Sequence, residues 1–508
     1  MKGATLVSLF VCMSALSATA QKSSPALLRS SPEEQGISSG AILEFLKAAD
    51  QQVDTMNSFM LVRHGHVVAE GWWAPYEAQS RHELYSLSKS FTATAVGLAI
   101  AEGKMSLDDL VLSYFPEDAP ADPGANLKSM RVRDLLSMST GHHEEEVQKF
   151  SFGSPERLTK QFLAMPVAHK PGTHFVYNTA ATYMLSAIVQ KVTGLTVLDY
   201  LRPRLFEPLG IDNPVWETSA QGISLGGYGL SIRTEDIASF GQLYLQKGKW
   251  RGKQLLPAAW VEAATARQTS NGSNPDSDWD QGYGYQFWRC RHGLYRGDGA
   301  FGQFCIVMPR QDAVAAITSG TKDMGAVMNL VWDKLLPAMQ ENPLPRNPDA
   351  RKELERARAG LTVRPQQGSK TTSLATQVTG KRFEFPANDR KVEAMSLEAG
   401  ANNAVTLVAR INGVDYRIGC GQGAWRKGRL AYEYRTGRLA YGAPVEQPIA
   451  ATGAWVGDDT YAAKICFYET PYYVVFSLRF AGNQLFFDAE YNVSFGSTKQ
   501  PQLVGHTG

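Results

Sequence analysis

The run Ser86-Leu-Ser-Lys-Ser-Phe-Thr-Ala-Thr-Ala-Val-Gly-Leu-Ala-Ile-Ala101 contains a single charged side chain, that of Lys89. Its other residues are small or apolar on every face of a helix, which predicts a helix buried in the centre of a domain. Ser86 and Lys89 are three residues apart, so on a helix they project from the same face. Burial lowers the pKa of a lysine, and a neutral amine beside a hydroxyl can remove its proton. Ser86 is therefore a candidate nucleophile and Lys89 its candidate base.

Each residue of this pair also has a purely structural alternative. Ser86 could cap the helix, and Lys89 could lie along its surface with the amine in water. A second pair with the same spacing, Ser319-Gly-Thr-Lys322, follows a predicted strand. The helix after it carries one apolar stripe, which is typical of a surface helix. Because only burial depresses a lysine pKa, the Ser86 pair is favoured.

The chain has 508 residues, which is enough for two or three domains. Its composition, 44% hydrophobic and 20% charged, is typical of globular proteins. The net charge of +2 comes without a basic stripe, so we expect no nucleic-acid partner.

The first twenty residues have the pattern of a secretory leader. Lys2 gives a positive start, residues 4–16 are apolar but too few to span a bilayer, and Ala18-Thr19-Ala20 is a small-residue cleavage site. A membrane anchor or a buried N-terminal helix is the alternative. We expect a signal peptide at 1–20, cleaved near Ala20, a periplasmic or secreted protein, and no transmembrane segment in the remaining chain.

Four cysteines follow the leader: Cys290, Cys305, Cys420 and Cys466. Export makes disulfides possible. A hairpin predicted at 292–293 would place Cys305 roughly 30 Å along the strand from the residue opposite Cys290, too far for a bond. Cys420 and Cys466 share a β-rich region and could pair. No spacing matches a metal site, and we expect neither a metal nor an organic cofactor.

Periodicity predicts an α/β sandwich for the longer, N-terminal part. Residues 59–63 and 66–70 predict a hairpin around His64-Gly65. Helices are predicted at 31–50, 86–101, 107–114, 132–136, 179–192, 234–245, 256–266 and 324–339, and strands at 282–289, 302–308 and 313–319. Helices between an early hairpin and late consecutive strands place both ends of this part in one antiparallel sheet.

The composition changes after residue 340. Residues 341–377 are rich in proline, charged and polar residues, which predicts a linker. Closely spaced strands with glycine turns follow at 378–508 and predict a small all-β barrel or sandwich. The predicted organisation is a signal peptide at 1–20, an α/β domain at 21–340, a linker at 341–377 and a β-rich domain at 378–508.

Two further segments could complete a site around Ser86. Tyr177 precedes a predicted helix, where its hydroxyl lies in a partly positive environment and could act as a phenolate base beside a lysine. Gly297-Asp298-Gly299-Ala300 leads into a strand, and its glycines would let another backbone approach closely. A half-buried aromatic residue and a plain glycine turn are the alternatives.

The order of these motifs resembles the class C β-lactamase-related group of the penicillin-recognising serine hydrolases. The segments Val132-Arg-Asp-Leu-Leu-Ser-Met-Ser-Thr-Gly141 and Gly226-Gly-Tyr-Gly-Leu-Ser-Ile-Arg-Thr-Glu-Asp236 are similar to that group as well. It includes D-alanyl-D-alanine carboxypeptidases, family VIII esterases and nylon-oligomer hydrolases. The resemblance covers about residues 30–340, and implies a β-lactamase-like sandwich of an antiparallel sheet and a helical region. Residues 378–508 resemble the lipocalin-like domains attached to some of these hydrolases.

The resemblance implies a role for each motif. Ser86 would be the acyl-accepting nucleophile, with Lys89 and Tyr177 as its general base and acid pair. The backbone N–H groups of Ser86 and Ala300 would form the oxyanion hole. The substrate would contact Asn178 and the segment Gly297-Asp298-Gly299.

Two departures from the group's pattern concern the substrate. The second motif usually reads Tyr-x-Asn, and here Thr179 stands in the asparagine's place, so a contact to a substrate amide is weakened or moves to Asn178. The third motif usually begins with lysine or histidine, where this chain has Gly297. The cation that would bind a carboxylate is therefore missing, Asp298 could repel one, and Arg296 could compensate.

The sequence predicts an exported serine hydrolase that cleaves a small-molecule ester or amide through an acyl-enzyme on Ser86. A β-lactamase or D-alanyl-D-alanine peptidase is an alternative, against which the missing cation counts. Losing a charge-assisted bond to a carboxylate costs roughly 1.5–3 kcal/mol, about tenfold to a hundredfold in affinity. A ligand-binding or sensor protein of the same fold, without turnover, is a second alternative.

Overall fold

The computed structural model describes residues 27–145, 149–150, 154–400, 404–431 and 446–507. The predicted signal peptide at 1–20 lies outside the described residues. A seven-stranded sheet lies between two apolar cores in the N-terminal part, and a ten-stranded sheet forms most of the C-terminal part.

The elements have the following bounds. The helices are Ser39–Gln52, Ser88–Ala101, Val111–Tyr114, Ala125–Ser129, Val132–Leu136, Leu158–Leu163, Thr179–Thr193, Val197–Leu201, Glu207–Leu209, Thr234–Leu245, Ala258–Thr265, Met324–Leu330, Pro348–Ala359 and Ala375–Val378. The seven-stranded sheet has the spatial order Leu28–Arg29, His66–Trp72, Met56–Arg63, Ala313–Ser319, Gln303–Met308, Tyr295–Gly299 and Trp288–Arg289. The ten-stranded sheet has the order Val414–Cys420, Val405–Ile411, Val392–Ala399, Phe383–Glu384, Leu503–His506, Gln484–Tyr491, Tyr473–Ala481, Thr460–Cys466, Gln447–Trp455 and Arg426–Leu430. Short strands form two small sheets, one of His82–Glu83, Leu230–Ile232 and Val215–Trp216 and one of Lys249–Trp250 and Lys253–Gln254.

The predicted hairpin around His64-Gly65 is present, with Arg63 opposite His66. The strand Ala313–Ser319 pairs antiparallel with the first hairpin strand from its other side. Strands from both ends of the N-terminal part therefore share one sheet, and the predicted α/β sandwich is confirmed.

Strand alternation gives this sheet two buried faces. Met60 points into a core that includes the helix Ser88–Ala101, which we call the nucleophile helix. Leu61 points into a second core that includes Ser39–Gln52. Every residue of the nucleophile helix from Ser88 to Ala99 is buried, so its predicted central position is confirmed.

The largest differences from the predicted bounds occur in three elements. The first long helix begins at Ser39, because the Ser38 side chain caps it by accepting a backbone N–H. Of the strand predicted at 282–289, only Trp288–Arg289 is paired as a strand in the seven-stranded sheet. The helix predicted at 324–339 is α-helical over Met324–Leu330 and continues as irregular helical turns, the last of which contains Pro337.

The polar segment predicted as a linker packs against the N-terminal part. Its helix Pro348–Ala359 begins after Asn347, whose side chain accepts a backbone N–H. The helix lies against Ser39–Gln52 and buries Leu354 in the second core. Residues 341–377 therefore include a fixed helix as well as connecting chain.

The ten C-terminal strands are antiparallel to their neighbours and curve into a nearly closed, barrel-like sheet, which confirms the predicted all-β architecture.

The cysteines at 290, 305, 420 and 466 are buried free thiols. Cys466 faces the second core and Cys420 the interior of the C-terminal sheet, so the pairing that the sequence left open does not form. Among the described residues, no single helix has the length and apolarity to cross a membrane, although the helix pair 179–193 and 197–209, bent by 67°, meets both criteria together.

Candidate active site

Ser86 lies in the tight turn Tyr85–Leu87, immediately before the nucleophile helix. The Lys89 side chain is 1% exposed and its Nζ lies 3.1 Å from the Ser86 Oγ. Two more oxygens contact the amine, the Gly227 carbonyl at 2.8 Å and the Thr179 Oγ1 at 3.2 Å. A neutral amine can donate one hydrogen to each of these and keep its lone pair for the Ser86 hydroxyl.

Burial lowers the pKa of Lys89 to about 7. The carboxylates of Glu145 and Asp298 oppose this effect and raise the pKa of Lys89, because they stabilise its charged form. The lowered pKa that the apolar helix predicts for Lys89 agrees in direction with this burial.

Tyr177 lies beside this pair. The Lys89 Nζ is 4.9 Å from the centre of its ring, and the ring stacks on Trp288 at a centroid distance of 5.4 Å. Burial of the hydroxyl raises the pKa of Tyr177 well above its ordinary value, the Asp298 carboxylate raises it further, and a hydrogen bond with Ser86 acts in the opposite direction. The phenol is therefore neutral at rest, contrary to the expected phenolate, and suits a proton donor.

Asn178 has a different place from the expected substrate contact. Its side chain is fully buried, and its Oδ1 accepts the Ala181 N–H at 3.1 Å as the cap of the helix Thr179–Thr193. The structure does not present this residue to the cleft, because its polar atoms hold the start of the helix.

Glu145 is a neighbour of the site that the motifs did not indicate. Its carboxylate accepts the Thr179 N–H at 2.8 Å, at the N-terminus of the helix, where negative charge is favoured. Thr179 thereby connects Glu145 with Lys89. The position that differs from the Tyr-x-Asn pattern thus holds the base in place. Gly227, whose carbonyl accepts from Lys89, is a second neighbour that the motifs do not indicate, although it lies in the glycine-rich segment 226–236.

The glycine-rich strand lies directly against the Ser86 turn. A Cβ on Gly299 would be 2.0 Å from the Leu84 carbonyl oxygen and 3.1 Å from the Ser86 nitrogen. A Cβ on Gly297 would be 2.5 Å from Leu87 Cδ1. The close approach predicted for these glycines is therefore present, and it places Gly299, the residue before Ala300, against the backbone of Leu84 and Ser86.

Arg296 and Asp298 form a buried pair behind the site. The Arg296 side chain is fully buried, and its Nε donates to Asp298 Oδ2 at 2.8 Å. A further donor of the guanidinium contacts the Asp278 carbonyl at 2.9 Å. Arg296 is thus paired with Asp298 and shielded from solvent, and its Nη2 is left without a hydrogen-bond partner among the described residues.

The second Ser-x-x-Lys pair has a structural role. Ser319 is fully buried, and its hydroxyl contacts the carbonyls of Phe301 and Gly302, both at 2.9 Å. Lys322 is exposed.

Within the described ranges, no group of three or more His, Cys, Asp or Glu side chains is placed to hold a metal ion.

Of the predicted site residues, the structure brings together Ser86, Lys89, Tyr177 and the segment 297–300, and it places Asn178 in the helix cap. This arrangement offers a hydroxyl with an adjacent neutral amine, a neutral phenol, and two backbone segments side by side. It can support nucleophilic attack by Ser86 with proton transfer.

The Beta-lactamase family model matches residues 45–339. The 6-aminohexanoate-dimer hydrolase of Paenarthrobacter ureafaciens is 28% identical over 317 residues, which cover 58% of this chain and 80% of that protein. The lovastatin esterase of Penicillium rubens is 27% identical over 150 residues, 25% of this chain and 37% of the esterase. Among solved structures, that of EstCE1, a hydrolase with promiscuous acyltransferase activity, has a TM-score of 0.50 at 17% identity and covers 58% of this chain and 99% of its own. This structural likeness concerns the fold alone.

Proposed function

The chain belongs to the Beta-lactamase family and is a serine hydrolase, and on this basis we propose that it cleaves an ester or amide with no carboxylate beside the reacting bond, through an acyl-enzyme on Ser86. The observation that carries the proposal is the Lys89 amine, 3.1 Å from the Ser86 hydroxyl and with its pKa lowered to about 7. A base whose pKa lies near the working pH is substantially deprotonated and still has a high affinity for the proton that it removes.

Acylation begins with attack of the Ser86 Oγ on the substrate carbonyl carbon. The new O–C bond forms while the hydroxyl proton passes to the Lys89 amine, and the carbonyl electrons move to the oxygen. The resulting oxyanion accepts hydrogen bonds from the backbone N–H groups of Ser86 and Ala300. Preorganised donors of this kind stabilise the charge at the point where it develops.

The tetrahedral intermediate collapses when the bond to the leaving group breaks. The leaving group takes the Tyr177 proton, and the phenol regains a proton from Lys89. Water then attacks the acyl carbon and gives its proton to the same pair of residues, and Ser86 leaves with a proton. Every group thereby returns to its starting state.

The electrostatics of the site support a substrate without an adjacent negative charge. Arg296 is fully buried and its charge is matched by Asp298 at 2.8 Å. Glu145 and Asp298 both place negative charge near Lys89. A carboxylate beside the reacting bond would meet the negative charge of Glu145, while the charge of Arg296 is already offset by Asp298.

Two relatives support the choice of bonds. One is named as an esterase and the other as the hydrolase of a 6-aminohexanoate dimer. We therefore propose that this chain accepts small esters and amides rather than β-lactams or D-alanyl carboxylates.

A set of p-nitrophenyl esters tests the charge preference once the uncatalysed rate of each is subtracted: the butyrate, the hemisuccinate and the 4-(trimethylammonio)butyrate, whose chains end in a neutral, a negative and a positive group. We expect kcat/KM for the butyrate to exceed that for the hemisuccinate by about tenfold or more, the value of one charge-assisted bond. The 4-(trimethylammonio)butyrate should react at least as well as the butyrate.

Nitrocefin provides an anionic β-lactam reference, and Ser86→Ala provides the catalytic control. Ser86→Ala should lose turnover of every ester. Preference for the hemisuccinate, or nitrocefin hydrolysis as fast as that of the butyrate, would overturn the substrate assignment. Full esterase activity in Ser86→Ala would overturn the acyl-enzyme.

A further inference from the structure

Two aromatic residues with positive φ adjoin the proposed oxyanion donors. Tyr85, with φ of 48°, precedes Ser86, and Phe301, with φ of 67°, follows Ala300. Bulky residues avoid this region of backbone space, and such conformations persist where the surroundings hold them. The exact placement of both donors therefore depends on what fixes these two residues.

Both residues belong to one aromatic cluster, which we call the aromatic clamp: Tyr85, Phe301, Tyr472 and Phe495. The Phe301 ring lies 5.6 Å from that of Tyr85, 5.6 Å from that of Tyr472 and 4.8 Å from that of Phe495. The hydroxyls of Tyr85 and Tyr472 share a hydrogen bond of 2.6 Å. Tyr472 and Phe495 come from the C-terminal part of the chain, so half of the clamp lies outside the region of the Beta-lactamase match.

Backbone contacts hold the C-terminal half of the clamp in place. The Glu83 N–H donates to the Glu469 carbonyl at 2.8 Å, just before the Ser86 turn. The Asn492 side chain donates to the carbonyls of Gly320 at 2.9 Å and Pro471 at 2.8 Å. A Cβ on Gly320 would be 2.2 Å from the Pro471 oxygen, so the segments around Gly320 and Pro471 are in direct contact. The loop that carries Tyr472 is thus anchored beside the two segments that carry the proposed oxyanion donors, the N–H groups of Ser86 and Ala300.

We infer that Tyr472 is a positioning residue for the oxyanion hole: through its ring and hydroxyl it fixes Tyr85 and Phe301, and with them the N–H groups of Ser86 and Ala300. The inference rests on the proposed acyl-enzyme at Ser86. It gives the C-terminal sheet a part in catalysis without contact to the reacting atoms. Its loss should weaken stabilisation of the transition state more than binding of the ground state.

The test compares Tyr472→Ala and Tyr472→Phe with Tyr461→Ala. Tyr461 is the matched control, because it is an equally buried tyrosine of the C-terminal part, on the strand Thr460–Cys466, and its ring packs on Trp455, which is not part of the clamp. For each variant we would measure kcat and KM with p-nitrophenyl butyrate, the Ki of phenylboronic acid, which forms a tetrahedral anion on a nucleophilic serine, and the melting temperature.

We expect Tyr472→Ala to lower kcat about 10- to 100-fold, less than the ~10²–10³ of a donor removed outright, and to raise the Ki by a similar factor. KM should stay within about twofold, since ground-state binding is retained. Tyr472→Phe keeps the ring and loses one hydrogen bond, so kcat should fall about fivefold. Tyr461→Ala should lower the melting temperature and keep kcat and Ki.

Wild-type kcat and Ki in Tyr472→Ala, or equal losses in Tyr461→Ala, would overturn the inference. If Tyr472→Ala does not fold, Tyr472→Phe decides, and wild-type kcat and Ki in that variant would reject the positioning role. Failure of the proposed function is distinguishable, because it would appear as retained activity in Ser86→Ala, whatever the clamp variants do.

Discussion

The charge of Glu145 influences how much of Lys89 is neutral and able to act as a base. Burial lowers the pKa of Lys89 to about 7, and the Glu145 carboxylate raises it against that effect. The same carboxylate accepts the N–H of Thr179, whose hydroxyl contacts the amine. Glu145 therefore acts on the base both by charge and by holding its neighbour.

Glu145→Gln should move the acid limb of the kcat/KM profile to lower pH. An amide can still accept the Thr179 N–H but does not stabilise the ammonium, so the pKa of Lys89 falls and more of the base is neutral at a given acidic pH. A pH series with p-nitrophenyl butyrate measures the limb. Glu144→Gln, a change in the exposed neighbour that pairs with Lys149, should leave it in place. If the acid limb of Glu145→Gln lies at the wild-type pH or at a higher pH, the proposed effect of the carboxylate on the pKa of Lys89 is contradicted.

At the scale of single residues, part of the site could be predicted from the sequence. Ser86 and Lys89 could be predicted because helix geometry fixes neighbours three residues apart. Glu145 could not be predicted from the sequence, because its contact with Thr179 joins residues 34 positions apart and depends on the tertiary fold. The sequence predicts Asn178 at the substrate, whereas its burial and its position at the helix N-terminus make it a cap.

At the scale of elements, the glycine-rich strand is held by contact with the Ser86 turn. The strand Tyr295–Gly299 presents two backbone positions without side chains to the start of the nucleophile helix. The sheet and the helix can therefore approach to the distance that an oxyanion hole of two backbone N–H groups requires.

Gly299→Ala should reduce kcat by about 100-fold or more, because the added Cβ would lie 2.0 Å from the Leu84 carbonyl and must separate the two segments. Gly124→Ala is the matched control, since a Cβ there meets nothing within 4 Å. Steady-state kinetics with p-nitrophenyl butyrate, together with the melting temperature, separate loss of the site from loss of the fold. Wild-type kcat in Gly299→Ala would show that the two segments need not be in contact.

Several elements could be predicted from periodicity alone. The helix Thr234–Leu245 and the strand Ala313–Ser319 have the predicted bounds, because each has a clear apolar pattern and defined ends. The segment 282–289 is apolar enough for a strand, but only Trp288–Arg289 finds a partner in the seven-stranded sheet. Pairing is a tertiary property that local pattern does not determine.

At the scale of the whole molecule, the C-terminal sheet touches the N-terminal part near the proposed nucleophile. Tyr85 and Phe301 lie in the same apolar core as the strands of that sheet. The sequence predicts two parts and a connecting segment, but it does not indicate which surfaces meet. Alternation along the strands also explains why Cys420 and Cys466 stay apart, since their side chains enter different cores.

Intact-protein mass spectrometry after reaction with a fluorophosphonate probe tests most directly whether Ser86 is the nucleophile. We expect wild type to gain one probe mass, with peptide mapping placing it on Ser86, and Ser86→Ala to gain none. Ser90→Ala, which changes a serine of the same helix that bonds to the Gln286 carbonyl at 2.8 Å, should be labelled like wild type. No adduct on wild type, or an equal adduct on Ser86→Ala, would contradict Ser86 as the nucleophile.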